Sequence, residues 1–379
     1  MIPIGCDAPA KVLLLTSQLH ATPSGGRALL CRLNHDALRD LYGNSLVLLE
    51  LSKRPLQGAS SIINAFRGYI DGLNKAVIRE ALQMIQAESI GKVFVDGSNL
   101  GGFVRAIKQA LPQVQVVTFF HNVESRFFLG SLRHTKTPRA LAVLMANYLA
   151  ERKAVRYSDK IICLTERDSH LLKKLYGRPA THVAPMAMQD TLPADHGMIT
   201  CLPDEKFALF VGGGFYANRA GITWFVKHVV PRIHVKICIV GHGLEDLKPE
   251  LEQPGRVEVV GPVDSLAEWY LKATFVIAPI FDGSGMKTKV AEALMYGKKI
   301  IGTPEAFSGY EDITDRAGWV CATADDFVAA IDRAQREILK SFDPELRAVY
   351  EERYSYPAAR SCLARILRLP LKNVLLNRV

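Results

Sequence analysis

The sequence holds no apolar run approaching the length of a membrane span, and no basic stretch followed by an apolar core near its start. Both absences argue against a spanning helix and a secretory leader. Ile4-Gly5-Cys6 superficially matches a lipoprotein cleavage site, but Pro3 and the lack of a preceding apolar segment argue against that as well. The seven cysteines, Cys6, Cys31, Cys163, Cys201, Cys238, Cys321 and Cys362, include no C-x-x-C pair, so reduced thiols in a cytoplasm are expected, not disulfides or a zinc site. There is no D-x-D signal and no His/Cys cluster at ligand spacing, so metal-independent chemistry without a cofactor is expected. An aromatic-interleaved nucleic-acid motif is also missing, which makes nucleic acid the least favoured partner.

What is present describes a globular protein long enough for two domains: 379 residues, 49% of them hydrophobic and 22% charged. The net charge of +9 is uneven. Residues 1–186 hold 24 Lys and Arg against 13 Asp and Glu, a net +11, which leaves −2 for the remainder. A polyanion or an anionic membrane surface would suit the first half, and so would a soluble domain that is simply basic.

The stretch Ala278 to Gly297 reads as strand, glycine-rich loop and helix. Thr274 to Ile280 is β-branched and apolar, Gly283 and Gly285 remove two Cβ atoms at the turn, and Val290, Ala293 and Leu294 share one helical face. Gly297 is placed to end the helix. The N–H groups and dipole at such a helix start suit an anion, most obviously a phosphate. Lys289 can add a full charge, and Glu292, one turn on, can accept from a ribose hydroxyl. The competing reading makes Lys287, Lys289 and Glu292 a solvated helix face.

Short apolar runs at Lys11–Thr16, 45–51, 92–95, 114–120, 160–163 and 182–184 alternate with helical patterns, the signature of a parallel sheet with helices on both faces. Gly25 and Gly26, after Pro23-Ser24, form a second strand-to-helix turn where backbone can meet a ligand. His121 and Glu124 follow the strand ending at Phe120, at the carboxyl edge of the sheet. The segment Ile62, Ile63, Phe66, Tyr69, Ile70, Leu73 with Arg67, Lys75 and Arg79 is amphipathic and basic. So is Arg126-Phe127-Phe128-Leu129 with Arg133, Lys136 and Arg139. Either could face a membrane or a lipid-phosphate acceptor, or pack on the core with solvated basic edges. A second α/β unit begins at Phe207, with strands at 207–211, 235–240, 257–260, 274–280, 299–302 and 319–321. Gly212-Gly213-Gly214-Phe215-Tyr216-Ala217 fits a G-x-G-x-x-A dinucleotide pattern, but the next strand ends in Gly241-His242-Gly243 and lacks the acid that would hold an adenosine ribose.

Gly283-Ser284-Gly285-Met286-Lys287-Thr288-Lys289-Val290-Ala291-Glu292-Ala293 and the following Gly297 to Thr303 resemble the donor-site signature of retaining glycosyltransferases with the GT-B fold, the glycosyl transferases group 1 type. Thr118 to Glu124, Ser158 to Thr165 and Phe210-Val211-Gly212 agree with it in order, so the resemblance covers nearly the whole chain. It implies an α/β, GT-B architecture of two doubly wound Rossmann-like domains facing an interdomain cleft. The expected division is 1–186 for an acceptor-side domain, 187–205 for a linker and 206–356 for a nucleotide-sugar domain, with a C-terminal helix, 357–379, packing back on the first.

The resemblance also implies roles. His121, Lys289 and Glu292 would be catalytic, and Gly25, Gly26, Gly212, Gly213, Gly214, Ser284, Gly285 and Met286 would join Lys289 and Glu292 around the donor. Glu124, Arg126, Phe127, Phe128 and Arg133 would form an acceptor or membrane face. The implied partners are a nucleotide-sugar donor and a glycan or lipid-linked acceptor of a bacterial surface-polysaccharide route, in the cytoplasm or peripheral on the inner face of its membrane. Two departures stand out. Gly213 and Asn218 occupy positions where many members carry arginine and lysine, with Arg219 a candidate substitute, and Ser284 stands where the wider family has the first of two glutamates. A nucleotide-sugar epimerase on the same fold and a catalytically silent nucleotide-sugar-binding partner remain alternatives.

Overall fold

The structure is a computed structural model that describes residues 10–17, 19, 25–52, 59–194 and 206–369. Pro23, Ser24, residues 195–205 of the expected linker and residues 370–379 of the expected C-terminal helix lie outside the described residues. The chain forms two compact units, one of residues 1–185 with 356–379, the other of residues 186–355.

In the first unit the order is β1 (Val12–Thr16), α1 (Gly26–Tyr42), β2 (Leu46–Glu50), α2 (Ala59–Arg67), α3 (Lys75–Ala87), β3 (Lys92–Asp96), α4 (Gly101–Ala110), β4 (Gln115–Phe120), α5 (Glu124–Thr135), α6 (Pro138–Tyr157), β5 (Lys160–Cys163), α7 (Glu166–Tyr176) and β6 (His182–Val183). These strands form a parallel sheet in the order β2-β1-β3-β4-β5-β6. Its central strands are apolar and buried because helices cover both faces of such a sheet. Leu13, Leu15, Val93 and Val95 pack there against Phe103 and Ile107 of α4.

The second unit continues with β7 (Phe207–Val211), α8 (Tyr216–His228), β8 (Lys236–Val240), α9 (Lys248–Leu251), β9 (Val257–Gly261), α10 (Leu266–Lys272), β10 (Phe275–Ala278), α11 (Thr288–Met295), β11 (Ile300–Gly302), α12 (Thr314–Ala317), β12 (Gly318–Val320), α13 (Ala324–Glu337) and α14 (Pro344–Arg353). Its parallel sheet runs β12-β11-β10-β7-β8-β9. That is the 3-2-1-4-5-6 dinucleotide-fold order with its reversal between β7 and β10. Gly221 in α8 lets the helix approach the β10 loop, where a Cβ would lie 1.8 Å from the Pro279 carbonyl oxygen.

The last described helix, α15 (Tyr356–Leu367), belongs to the first unit. Lys160 Nζ donates to the Ile366 carbonyl at 2.5 Å and Tyr356 Oη to Asp40 at 2.6 Å. In the described part of the expected linker, residues 187–194, hydrogen bonds run to the second unit. The Met188 N–H reaches the Tyr354 carbonyl at 2.8 Å, and Thr191 Oγ1 lies 2.9 Å from Tyr296 Oη. Among the described residues, no helix is long and apolar enough to cross a membrane.

Candidate active site

Each sheet reverses its order at one place, and in both units the candidate side chains gather there. In open α/β sheets the crevice beyond the strand ends at such a point is where ligands bind.

In the second unit the β10–α11 loop follows one of the two switch-point strands. Gly283 and Gly285 take φ values of +136° and +64°. Lys287 closes the turn on itself, with Nζ donating to the Gly285 carbonyl at 3.1 Å and to Glu305 at 2.9 Å. The helix α11 then ends in a Schellman pair, Gly297 N–H to Leu294 at 3.0 Å and Lys298 N–H to Ala293 at 2.8 Å, which fixes its length and direction. At its other end the N–H groups of Gly285, Met286, Thr288 and Lys289 take no hydrogen bond among the described residues, and no side chain caps the helix. These are the orphan donors of a helix start, with the positive end of the dipole behind them.

Lys289 does not project into solvent as a surface i,i+3 partner of Glu292. It is 6% exposed, lies 4.6 Å above the Phe210 ring, and donates from Nζ to Asn218 Oδ1 at 2.7 Å. Asn218 in turn donates to the Gly213 carbonyl at 2.9 Å, so the lysine is tied to the loop that follows β7. Burial pushes the Lys289 ammonium down to about 7, although Glu292 pulls the other way. Glu292 is half-buried and accepts from Tyr270 Oη at 2.7 Å through Oε2, while Oε1 takes no hydrogen bond among the described residues. Its pKa is raised by burial.

The glycine loop after β7 has a second reason for its composition. A Cβ on Gly214 would lie 2.3 Å from the Gly243 carbonyl oxygen, and one on Gly241 would lie 2.1 Å from that of Gly212. Two loops therefore pack backbone on backbone, and only Gly213 has room for a side chain. Arg219 is held by Asp246 in a two-pronged pair at 2.7 Å and by the Gly243 carbonyl. Ser284 is half-buried in the loop, while Met286 is buried, its Sδ accepting the Met186 N–H at 3.2 Å, so only its backbone faces the helix start.

In the first unit the switch point lies between β1 and β3, where Thr16 and Asp96 stand. Asp96 is fully buried and accepts from Thr16 Oγ1 at 3.0 Å, Asn34 Nδ2 at 2.9 Å and His121 Nε2 at 2.9 Å. Burial alone would raise its pKa, but His121 and these hydrogen bonds hold it below the ordinary carboxylate value. A carboxylate only accepts, so His121 Nε2 carries a proton and donates it to Asp96. His121 is thus a locked residue, 3% exposed, with Nε2 committed to Asp96 and no hydrogen bond at Nδ1 among the described residues.

Cys31, from α1, approaches the same histidine at 3.8 Å. The Sγ, carboxylate and Nε2 atoms of Cys31, Asp96 and His121 all lie within 4.8 Å of one another. Sequence spacing could not reveal this cluster, because its members are far apart in the chain. A metal fits it poorly: burial pushes the Cys31 thiol far up, away from the thiolate a metal needs, and the carboxylate is already saturated with donors.

Gly25 caps α1 with φ +83°, and Gly26 is the first helical residue. Arg27 beside them reaches Asp71 at 2.6 Å and Asn99 at 3.3 Å. Glu124 opens α5 but is buried, not solvated, and its pKa is raised to about 7 by burial and by Glu151 and Asp71, against the pull of Arg27. The start of α5 is capped from elsewhere. Glu151, fully buried on α6, takes the N–H groups of Glu124 at 2.8 Å and Ser125 at 2.9 Å, the Ser125 hydroxyl, and Tyr176 Oη at 2.7 Å. Of the expected face, Arg126, Phe127 and Phe128 are half-buried, the two rings meeting edge-on at 5.2 Å, and only Arg133 is exposed.

Residues 205–337 match the family model described as Glycosyl transferases group 1. The matched segment contains the β7 and β10 loops, α8 and α11. No curated protein matches the chain in sequence. Solved structures match it over nearly its whole length. The sucrose-phosphate synthase of Thermosynechococcus elongatus superposes with a TM-score of 0.69 at 15% identity, covering 94% of this chain and 98% of that one. Anabaena Alr3699/HepE in complex with UDP and glucose gives 0.63 at 14%, covering 95% and 99%. The lipopolysaccharide outer core galactosyltransferase WaaB gives 0.63 at 12%, covering 94% and 99%. The fold is therefore GT-B, with two Rossmann-like domains.

Asn218, Tyr270, Asp96, Arg27 and Glu151 are the polar partners that motif reading did not assign. Asp96 carried a signal, an acid closing an otherwise apolar strand. Glu151 carried a weaker one, a lone carboxylate between Ala150 and Ala154 on the buried side of α6.

Proposed function

We propose that the protein is a glycosyltransferase that moves a hexosyl group from a nucleotide sugar to a hydroxyl of a glycan or lipid-linked acceptor in polysaccharide assembly. In this reading transfer proceeds with retention and without a metal. The observation that carries it is the convergence, at the switch point of the second unit, of the Lys289 ammonium with four backbone N–H groups and the Glu292 Oε1 that make no hydrogen bond among the described residues. Backbone donors and a cation suit a diphosphate, and a carboxylate oxygen suits a ribose hydroxyl. The match of residues 205–337 supports glycosyl transfer, and the UDP and UDP-glucose complexes of Alr3699/HepE support a nucleotide-sugar donor.

The chemistry follows from the charge that moves. Cleaving a sugar–phosphate bond builds negative charge on the leaving diphosphate, and donors fixed before the reaction stabilise that charge in the transition state at no reorganisation cost. Lys289 and the loop amides supply them. His121, its ring fixed by the Nε2 bond to Asp96, leaves Nδ1 for a sugar hydroxyl. Retention rests on the resemblance of the 283–293 motif.

The test is to incubate the protein with the nucleotide sugar that binds best and with glycan or lipid-linked acceptor preparations. Nucleoside diphosphate release should match a one-hexosyl mass gain of the acceptor, insensitive to chelator. Turnover to an altered nucleotide sugar without any acceptor would assign an epimerase instead, and binding without turnover a silent partner.

A further inference from the structure

Ten large apolar side chains are exposed among the described residues, and six of them, Ile62, Ile63, Phe66, Leu129, Leu141 and Met145, stand on just three helices of the first unit. The other four are scattered singly, as expected for any soluble surface. On α2, Ile63 is 53% exposed and lies one turn from Phe66 and Arg67. On α6, Leu141, 50% exposed, lies one turn from Met145, and Arg152 follows two turns later on the same side. On α5, Leu129 is followed one turn on by Arg133. These helices are neighbours: α6 packs against both α2 and α5, and Lys136 in the turn between α5 and α6 and Arg139 in the first turn of α6 are exposed.

The structure also changes which residues form this face. Leu73, at the end of the amphipathic α2 segment, is buried in the core and Tyr69 packs against it, while Leu141 and Met145 join the exposed set.

Charge decides what could cover such a face. Across α2, α5 and α6 the only acids are Glu124 and Glu151, and both are buried. The exposed charges, Arg67, Arg133, Lys136, Arg139, Arg152 and Arg156, are all positive. A second copy joined through the same patch would set these cations against each other. We propose that α2, α5 and α6 form a docking face for an anionic lipid bilayer. Ile62, Ile63, Phe66, Leu129, Leu141 and Met145 enter the headgroup boundary, and the surrounding arginines and lysine meet lipid phosphates. Apolar insertion and basic attraction are the two signals that reversible membrane association needs. The proposal is independent of the catalytic reading, because it is tested by binding alone.

The full chain is sedimented with vesicles of phosphatidylcholine alone and of phosphatidylcholine mixed with phosphatidylglycerol. The protein should pellet with the anionic vesicles, stay in solution with the neutral ones, and be released as salt shortens the screening length. Ile62→Ser/Ile63→Ser/Phe66→Ser on α2 and, separately, Leu141→Ser/Met145→Ser on α6 should each weaken partitioning, on the order of tenfold per side chain removed. Arg133→Ser/Arg139→Ser should weaken it about fivefold per charge. All replaced side chains are exposed, so melting temperature and nucleotide binding should match the wild type and report intact folding. Wild-type protein that stays in solution with anionic vesicles would overturn the proposal. So would variants that pellet as well as wild type, or a concentration-dependent dimer that the apolar variants abolish.

Discussion

If Lys289 binds the donor diphosphate, affinity must depend on pH with a sign and slope set by its burial. In the unliganded protein its pKa is about 7, lowered first by burial and further by Lys287, with Glu292 opposing. A diphosphate binds the ammonium form, so the apparent dissociation constant carries a factor that grows once the lysine deprotonates. That factor is about 2 at pH 7, about 10 at pH 8 and about 100 at pH 9, one logarithm per pH unit. Binding should take up about half a proton at pH 7 and about 0.9 at pH 8, because the bound anion restores the charge. Calorimetric titration with a nucleotide sugar, in buffers of different ionisation enthalpy, reads both quantities. The ligand is a diphosphate diester, so its own charge stays constant across this range.

Lys289→Arg should flatten the alkaline limb, since a guanidinium stays charged, and Lys289→Met should bind weakly with no alkaline slope. On the acid side Glu292, whose pKa burial raises, loses its acceptor charge, so Glu292→Gln should remove the acid limb. An affinity unchanged up to about pH 9, or a slope preserved in Lys289→Met, would refute the assignment.

The same lysine affects stability. Its folded pKa lies below the unfolded value of about 10.5, so the native state binds fewer protons and stability falls as pH is lowered from about 10 to about 7. Lys289→Met should relieve a penalty of at most about 3–5 kcal/mol and keep or raise the melting temperature, while losing the ligand. Burial lowers the Lys298 pKa to about 7 as well, but removing this lysine strands several acceptors. It is buried and donates to the carbonyls of Leu271 at 2.9 Å and Ala273 at 2.8 Å and to Ser341 Oγ at 2.8 Å, so Lys298→Met should cost about 2–4 kcal/mol in urea unfolding. Asp96→Asn replaces a buried carboxylate that three donors share; about 2–4 kcal/mol lost and an altered pH profile of turnover are expected, whereas a purely structural role would leave the profile in place. Gly221→Ala should cost about 1–3 kcal/mol by pushing α8 off the Pro279 carbonyl, measured as a lower melting temperature without loss of residual nucleotide selectivity.

The parallel sheets were legible because buried strands such as Val12–Thr16 and Phe275–Ala278 are continuous apolar runs between helical periods. The Gly283–Gly297 element was legible because its glycines, helix face and terminator each have a local cause. What sequence could not show was direction. Lys289 was expected at the anion site, with a solvated helix face as the competing reading, but its inward turn over Phe210 to Asn218 is a contact between residues 71 positions apart. Glu124 was expected on an acceptor or membrane face, but it is buried near Arg27, and Glu151 from another helix caps the start of α5. The His121–Asp96–Cys31 cluster is equally long-range, made by the sheet order and not by any spacing. Within the expected linker, 187–205, the hydrogen bonds of Met188, Asp190 and Thr191 were not legible because their partners, Tyr354, Arg347 and Tyr296, lie more than a hundred positions on.

The most direct test of the account is thermal unfolding of the protein against a panel of nucleotides and nucleotide sugars, beside Lys289→Ala and Glu292→Ala. Saturating ligand at about a hundred times its dissociation constant adds about 2.7 kcal/mol to the folded state, a rise of a few degrees. One nucleoside diphosphate series should stabilise the wild type, and both variants should lose the shift. A panel that leaves the wild type unmoved, or a shift that survives in both variants, would contradict the donor-site assignment.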